Sequence, residues 1–226
     1  MLDVLRFVIG MALLVYASYT DFKYREARNE LWIIMGAAGI VLLLYSDYPP
    51  PAVFFSVLLM LPIAFVVLVA GMGGADAKAL IAISLLAPLF PHIDTAVGEL
   101  PLWVAPVEFP FPLTVFINSL LLFLAIPVAL FVRNAIRGDL ALPYCFFGWR
   151  MHASDIPGSY IWPMEYIEDG RRKKSILPKR DVDPAVFGDE VIWVTPKVPF
   201  LIPLTAGYAI SFLLGDLVYQ VVSVLT

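Results

Sequence analysis

Residues 2–19 carry only two charged side chains, Asp3 and Arg6, in a run otherwise built of apolar, aromatic and small residues. At about 1.5 Å per residue such a run reaches most of the way across a roughly 30 Å hydrocarbon core. Five further runs follow at residues 31–45, 52–70, 77–90, 113–132 and 199–225. The bilayer is therefore the main solvent of this chain, and its 61% apolar composition agrees. The expectation is a membrane all-α fold of six transmembrane helices. A cleavable signal peptide is the rival reading of residues 2–19. No basic cluster opens that run and no small-x-small site precedes Asp21, so a retained helix is expected. The fourth run ends at Pro91 and amounts to about 21 Å of helix. That is too short to cross alone, so its start is expected below the interface, where irregular backbone must line protein or a wet cavity.

The segments between the runs differ in kind. Residues 21–30 are polar and contain Lys23, Arg25 and Arg28, and residues 46–51 stop the second helix with three consecutive prolines. Residues 91–110 are rich in proline, lack Lys and Arg, and read as an irregular interfacial loop anchored by Trp103. Residues 134–196 are mostly polar and do not fit in lipid. They read as a small β-containing subdomain, with strands at 160–167 and 171–177 joined by an Asp169-Gly170 turn and a third at 190–195. The expected organisation is residues 1–133 with five helices and the aspartates discussed below, 134–196 as the soluble subdomain, and 197–226 with the sixth helix.

Orientation follows from the basic residues. If residues 21–30 face the cytoplasm, all of the 15 Lys and Arg except Arg6 lie on the cytoplasmic side. The chain is then a multi-pass protein of the cell membrane, in contact with its lipids. Asp21 at the end of the first run and Asp76 at the start of the fourth meet the same cytoplasmic face.

Asp76 follows the glycine-rich break Gly71-Met72-Gly73-Gly74 between two apolar runs. A carboxylate at membrane depth costs roughly 2.5 to 3.5 kcal/mol on insertion scales, which makes it a functional candidate once a partner is named. Asp21 is that partner. Two carboxylates in one partly desolvated place tend to share a proton, so one can act as base on a water while the other donates to the scissile carbonyl or leaving amine. Plainer roles stand beside this one. Asp76 can be a helix N-cap, Asp21 a loop residue pairing with Lys23 or Arg25, and the glycines a tight turn.

Other chemistries find little support. The single Cys145 excludes an internal disulfide or a cysteine-rich zinc site, and His92 and His152 are too few and too scattered for a metal cluster. No metal or cofactor is expected, and no nucleic-acid partner. The glycine-rich stretch lacks the spacing of a phosphate-binding loop.

Asp76 with its glycine-rich approach and Lys78 resembles the Gly-x-Gly-Asp-x-Lys signature of membrane aspartyl proteases of the prepilin peptidase superfamily. Asp21-Phe22-Lys23-Tyr24-Arg25 with Asn29 is similar to the first-aspartate motif of that family. Arg133-Asn134, Phe146-Phe147-Gly148, Glu190 to Pro196 and Ile202-Pro203 sharpen the likeness to the archaeal preflagellin (archaellin) peptidases. The resemblance implies an endopeptidase with Asp21 and Asp76 as catalytic pair, supported by Gly71, Gly73, Gly74, Lys78, Lys23, Arg25 and Asn29. It would remove a short basic leader from preflagellin or other type IV pilin-like precursors, next to the apolar helix of the substrate. One departure stands out: Ala75 occupies the position before Asp76 where the signature has Gly, and alanine has less access to positive φ.

Several residues allow two readings. Lys78 lies on a different helix face from Asp76 and reads as a snorkelling side chain or a substrate contact. Arg171 to Lys174 would meet lipid headgroups rather than a basic leader. Glu165, Glu168, Asp169, Asp181, Asp183, Asp189 and Glu190 are the acids that could hold the leader. Asp216 reads as structural. From another class, an ion or proton transporter using Asp76 is the rival, but it would place its acids near the midplane and show an internal repeat.

Overall fold

The computed structural model describes residues 1–70, 73–96, 98–105, 109–176 and 181–225. In chain order these form helices α1 (Leu2–Tyr24), α2 (Asn29–Leu43), α3 (Pro50–Val69) and α4 (Gly74–Leu86), then a short hairpin of β1 (Ile93–Thr95) and β2 (Gly98–Leu100). Helices α5 (Phe111–Phe123) and α6 (Ala125–Arg137) follow, then strands β3 (Trp149–His152), β4 (Ile161–Pro163), β5 (Glu165–Glu168), β6 (Arg171–Lys174) and β7 (Val191–Pro196). Helices α7 (Leu201–Leu213) and α8 (Leu217–Leu225) close the chain. The protein is mostly helical with a small β-containing region. Among the described residues three helical runs, Leu2–Tyr24, Pro50–Val69 and Phe111–Arg137, are long and apolar enough to cross a membrane, while Asn29–Leu43 and Leu201–Leu213 are apolar but shorter.

One compact unit comprises Met1–Phe123 with Pro199–Thr226. Helix α4 lies at its heart, against α2 and α3 above all and also against α1 and α5. Eight of its residues are buried, on all sides of the helix. In lipid, water exclusion between helices is lost and close packing takes over, which favours small residues at contacts. Ala77, Ala79 and Ala82 supply them on α4. On α2, Gly39 serves the same end: a side chain there would sit 2.6 Å from the main-chain nitrogen of Leu86. Leu14, Met35, Met60, Leu80, Ile83 and Phe212 fill the surrounding core.

Two elements of this unit differ from the sequence expectation. The α1 helix runs past residue 19 to Tyr24, so Asp21 is helical rather than part of a loop; Arg25 then stops it in a left-handed conformation (φ 58°), its N–H bonded to the Asp21 carbonyl at 3.0 Å. The final apolar stretch is broken into α7 and α8. At the break Trp103 donates its N–H to Leu214 O (2.8 Å) and accepts that of Asp216 (2.9 Å). The fully buried Asn118 of α5 donates to Gly215 O and Ser211 Oγ, both at 2.8 Å. Those bonds replace the intrahelical ones that the break gives up. Asp216 accepts the Tyr219 N–H at 3.0 Å and so caps α8.

The second unit is Leu124–Val198. Its three-stranded antiparallel sheet has the order β3-β7-β4, with Trp149 opposite Val194 and Pro163 also opposite Val194 from the other side. Alternation along β7 sends Ile192 and Val194 to one cluster with Phe187 and Ile156, and Trp193 to another with Cys145 and Met164. The expected hairpin forms as β5 and β6, and its turn residues Asp169 (φ 53°) and Gly170 (φ 68°) both take the positive φ that a two-residue loop requires. The stretch 160–167 is not one strand, however. Its first half pairs with β7 and its second with β6. Asn134 fastens the end of α6 to the following chain by donating to Cys145 O (2.9 Å) and Gly148 O (2.7 Å).

Candidate active site

Asp76 sits in the first turn of α4 and is 3% exposed. It is not the N-cap. Gly73 holds that position and no side-chain hydrogen bond caps the helix. Instead the Asp76 Oδ1 is buried and accepts no hydrogen bond. A buried polar atom without a partner is costly, which makes this carboxylate a candidate for a functional role. Gly73 makes the arrangement possible: its φ of +149° excludes ordinary side chains, and a Cβ on it would meet Asp76 Oδ2 at 3.0 Å. Gly74 has no such role, its nearest neighbour to an added Cβ being Leu68 Cδ1 at 3.9 Å. Ala75 lies within the helix and does not have positive φ, so its departure from the glycine of the motif costs nothing in backbone strain. Gly71 falls outside the described residues.

Asp21 reaches the same place from the last turns of α1, which touches α4. Its carboxylate is partly buried and is the charged group that acts on Asp76 electrostatically. Arg25 follows one turn further on, as the left-handed residue that ends α1. Lys23 turns elsewhere, donating to Tyr19 Oη at 3.3 Å and lying over the rings of Tyr19 and Tyr24. Asn29, the first residue of α2, accepts a hydrogen bond from Lys78 Nζ at 2.7 Å. The structure therefore sets Gly73 against the Asp76 carboxylate, gives that carboxylate Asp21 as a charged neighbour, and joins Asn29 to Lys78.

The acids considered for a basic leader are largely engaged within the second unit. Glu165 is 1% exposed, accepts the Trp193 N–H at 2.8 Å and is paired with Arg172 Nε. That hydrogen bond raises Arg172 above the ordinary arginine range. Glu190 also pairs with Arg172 (2.6 Å) and Glu168 with Lys173 (2.6 Å). Asp183 caps Ala185 N at 2.9 Å, and Asp189 accepts from Ser154 at 2.7 Å. The basic run Arg171 to Lys174 is thus partly neutralised by the acids around it. Among the described residues no three His, Cys, Asp or Glu side chains converge to hold a metal ion.

Arg6 is the residue that the sequence reading undervalues. Taken there as the lone outer cation, it is 1% exposed and donates from Nε to Leu86 O, the last residue of α4, at 2.9 Å. Only Asp3 is a local partner; Leu86, Ser46 and Tyr48 lie far away along the chain, so the sequence does not announce the arrangement.

Residues 8–129, which contain both aspartates, match the model of the Type IV leader peptidase family. Residues 179–217 match that of the Archaeal Peptidase A24 C-terminus Type II. Among curated relatives, proteins named preflagellin peptidase are similar over nearly their whole length. That of Methanococcus maripaludis is 29% identical over 94% of this chain and 96% of its own. Those of Methanococcus voltae and Methanocaldococcus jannaschii are 27% and 26% identical, covering 96% and 94% of this chain and 97% and 94% of their own.

Proposed function

Because the chain belongs to the Type IV leader peptidase family, we propose that it is a membrane aspartyl endopeptidase that removes the short basic leader from preflagellin precursors, with Asp21 and Asp76 as its catalytic pair. The observation that carries this reading is the buried Asp76 carboxylate, with an unpartnered oxygen and Asp21 as its charged neighbour. One proton is shared between the two acids. The ionised carboxylate takes a proton from a water as its oxygen attacks the scissile carbonyl carbon. The protonated one donates to the carbonyl oxygen and, as the tetrahedral species collapses, a proton passes to the leaving amine. The acids exchange roles within each turnover, so neither has a fixed one. The chain needs no cofactor for this chemistry.

The chain crosses the cell membrane six times in this reading, with α2, α4 and α7 as the shorter crossings. The apolar side chains exposed on its helices, such as Val8, Ile33, Phe54, Phe65 and Val221, face lipid. Residues 134–196 form the cytoplasmic subdomain between the fifth and sixth crossings. The leader lies in the cytoplasm while the apolar helix of the precursor stays in the bilayer, which brings the scissile bond to the depth of Asp21 and Asp76. Co-expression of a leader-bearing preflagellin with wild type, Asp21→Asn and Asp76→Asn tests this by the size shift on a gel. Both variants are expected to leave the precursor uncut, and normal cleavage by either removes the pair.

A further inference from the structure

Helix α4 is anchored at the end away from Asp76 by one buried guanidinium. Besides Leu86 O, Arg6 reaches Asp3 Oδ1 at 2.8 Å, Ser46 Oγ at 2.5 Å and Tyr48 Oη at 3.4 Å, and it lies over the Tyr48 ring at 4.8 Å. Asp3 in turn accepts from Tyr48 Oη (3.0 Å) and from the main-chain N–H of His92 (3.0 Å), and the Arg6 carbonyl accepts the Tyr208 hydroxyl of α7 at 2.7 Å. The start of α1, the loop after α2, the end of α4, the chain at His92 and α7 are thereby tied at one point.

We propose that Arg6 is a positioning residue for the aspartate pair, fixing how α4 lies along α1 and so where Asp76 meets Asp21. This rests on the reading of those two residues as the working pair. Asp21 and Arg6 share α1, while Asp76 and Leu86 share α4, so the Arg6–Leu86 bond links the two aspartate-bearing helices directly. A helix is a stiff rod, and Asp76 stands roughly 15 Å from Leu86 at about 1.5 Å per residue. A displacement along the axis at Leu86 is therefore carried through to Asp76. The Leu86 carbonyl belongs to the last turn, where carbonyls lack intrahelical partners and a cation is favoured by the helix dipole. Arginine suits the place because its planar fork serves several acceptors and stacks on a ring at once, which the ammonium of lysine does not.

The test uses the full-length protein with Cys145→Ala, Asp21→Cys and Asp76→Cys, treated with thiol-specific cross-linkers of graded length, in versions with Arg6, Arg6→Lys and Arg6→Met. A parallel set with the native aspartates gives kcat and KM for preflagellin cleavage. With Arg6 the shortest linkers should join the two cysteines. Arg6→Met should shift efficient linking to longer reagents and lower kcat by roughly 10²-fold, the cost of a misplacement of about 1 Å, with KM changed by less than about twofold. Arg6→Lys should recover part of both. If Arg6→Met cannot be purified folded, Arg6→Lys decides. An unchanged linker profile and kcat in a folded variant overturns the inference. If no linker joins the cysteines with Arg6 intact, the pairing of Asp21 with Asp76 falls, and this inference with it.

Discussion

Lys78 Nζ donates to Asn29 Oδ1 at 2.7 Å, so the segment that follows Asp21 is tied to the helix that carries Asp76 in its first turn. The two sequence motifs are thus in direct contact through their polar accessory residues. Asn29→Ala and Lys78→Met should each lower cleavage, by about 10-fold if the bond is worth about 1.4 kcal/mol to the transition state. The double variant should be little worse than either single one, because both remove the same bond. Since the pair is exposed, thermal stability should change by less than about 1 kcal/mol. Additive losses in a double-mutant cycle on cleavage rate would mean that the two side chains act separately.

Neighbouring glycines should respond differently to the same change. Gly73→Ala forces a side chain into a φ of +149° and against Asp76 Oδ2, with a strain of about 1–3 kcal/mol and loss of most activity. Gly74→Ala makes only an ordinary van der Waals contact with Leu68 Cδ1 at 3.9 Å and should cleave at close to the wild-type rate. Cleavage and thermal unfolding measured on both proteins separate a requirement for Gly73 from a general need for flexibility.

If Asp21 and Asp76 share a proton as proposed, the rate is bell-shaped in pH. On the acid side both carboxyls are protonated and no base remains for the water. On the alkaline side both are ionised and no acid remains for the leaving amine. Single-turnover cleavage of solubilised precursor across pH should fall on both sides of an optimum. A rate that climbs steadily with pH would argue against a two-carboxyl mechanism.

In the second unit the Glu165–Arg172 pair supports a different prediction. Arg172→Met leaves Glu165, 1% exposed, without its cation and should destabilise the unit by about 3 kcal/mol, whereas removing both charges together should cost less. Thermal unfolding of Arg172→Met and of Arg172→Met with Glu165→Gln checks the order.

The family and the apolar runs were legible because both are written locally, as uninterrupted hydrophobic stretches and as spaced aspartate motifs. What escaped was decided by distant partners. The end of α1 carries Asp21 and Lys23 and looks like loop, and its stop signal is an arginine in a left-handed conformation rather than a glycine. The break before α8 is held by Trp103 and Asn118, neither of which is near it in sequence. Strand β3 acquires its identity by pairing with β7 some forty residues later. The acids of the second unit looked free because their partners, Arg172, Trp193 N and Ser154, are visible only in the folded unit. Ala75 looked like a defect in the motif, and it proves to be an ordinary helical residue because the backbone demand falls on Gly73.

Helix α4 also bears on how the protein is made. Its 13 residues extend about 20 Å, well short of a roughly 30 Å hydrocarbon core, and one end carries a carboxylate. Alone it has little hold on lipid. Its place depends on α2 and α3, which enclose it, and on α1, whose Arg6 holds its far end. With Asp21 and Asp76 as the proposed pair, a nascent chain that has delivered α1 to α4 without docking them would possess both aspartates but no catalytic site. On that reading proteolytic competence would arise with assembly rather than with synthesis.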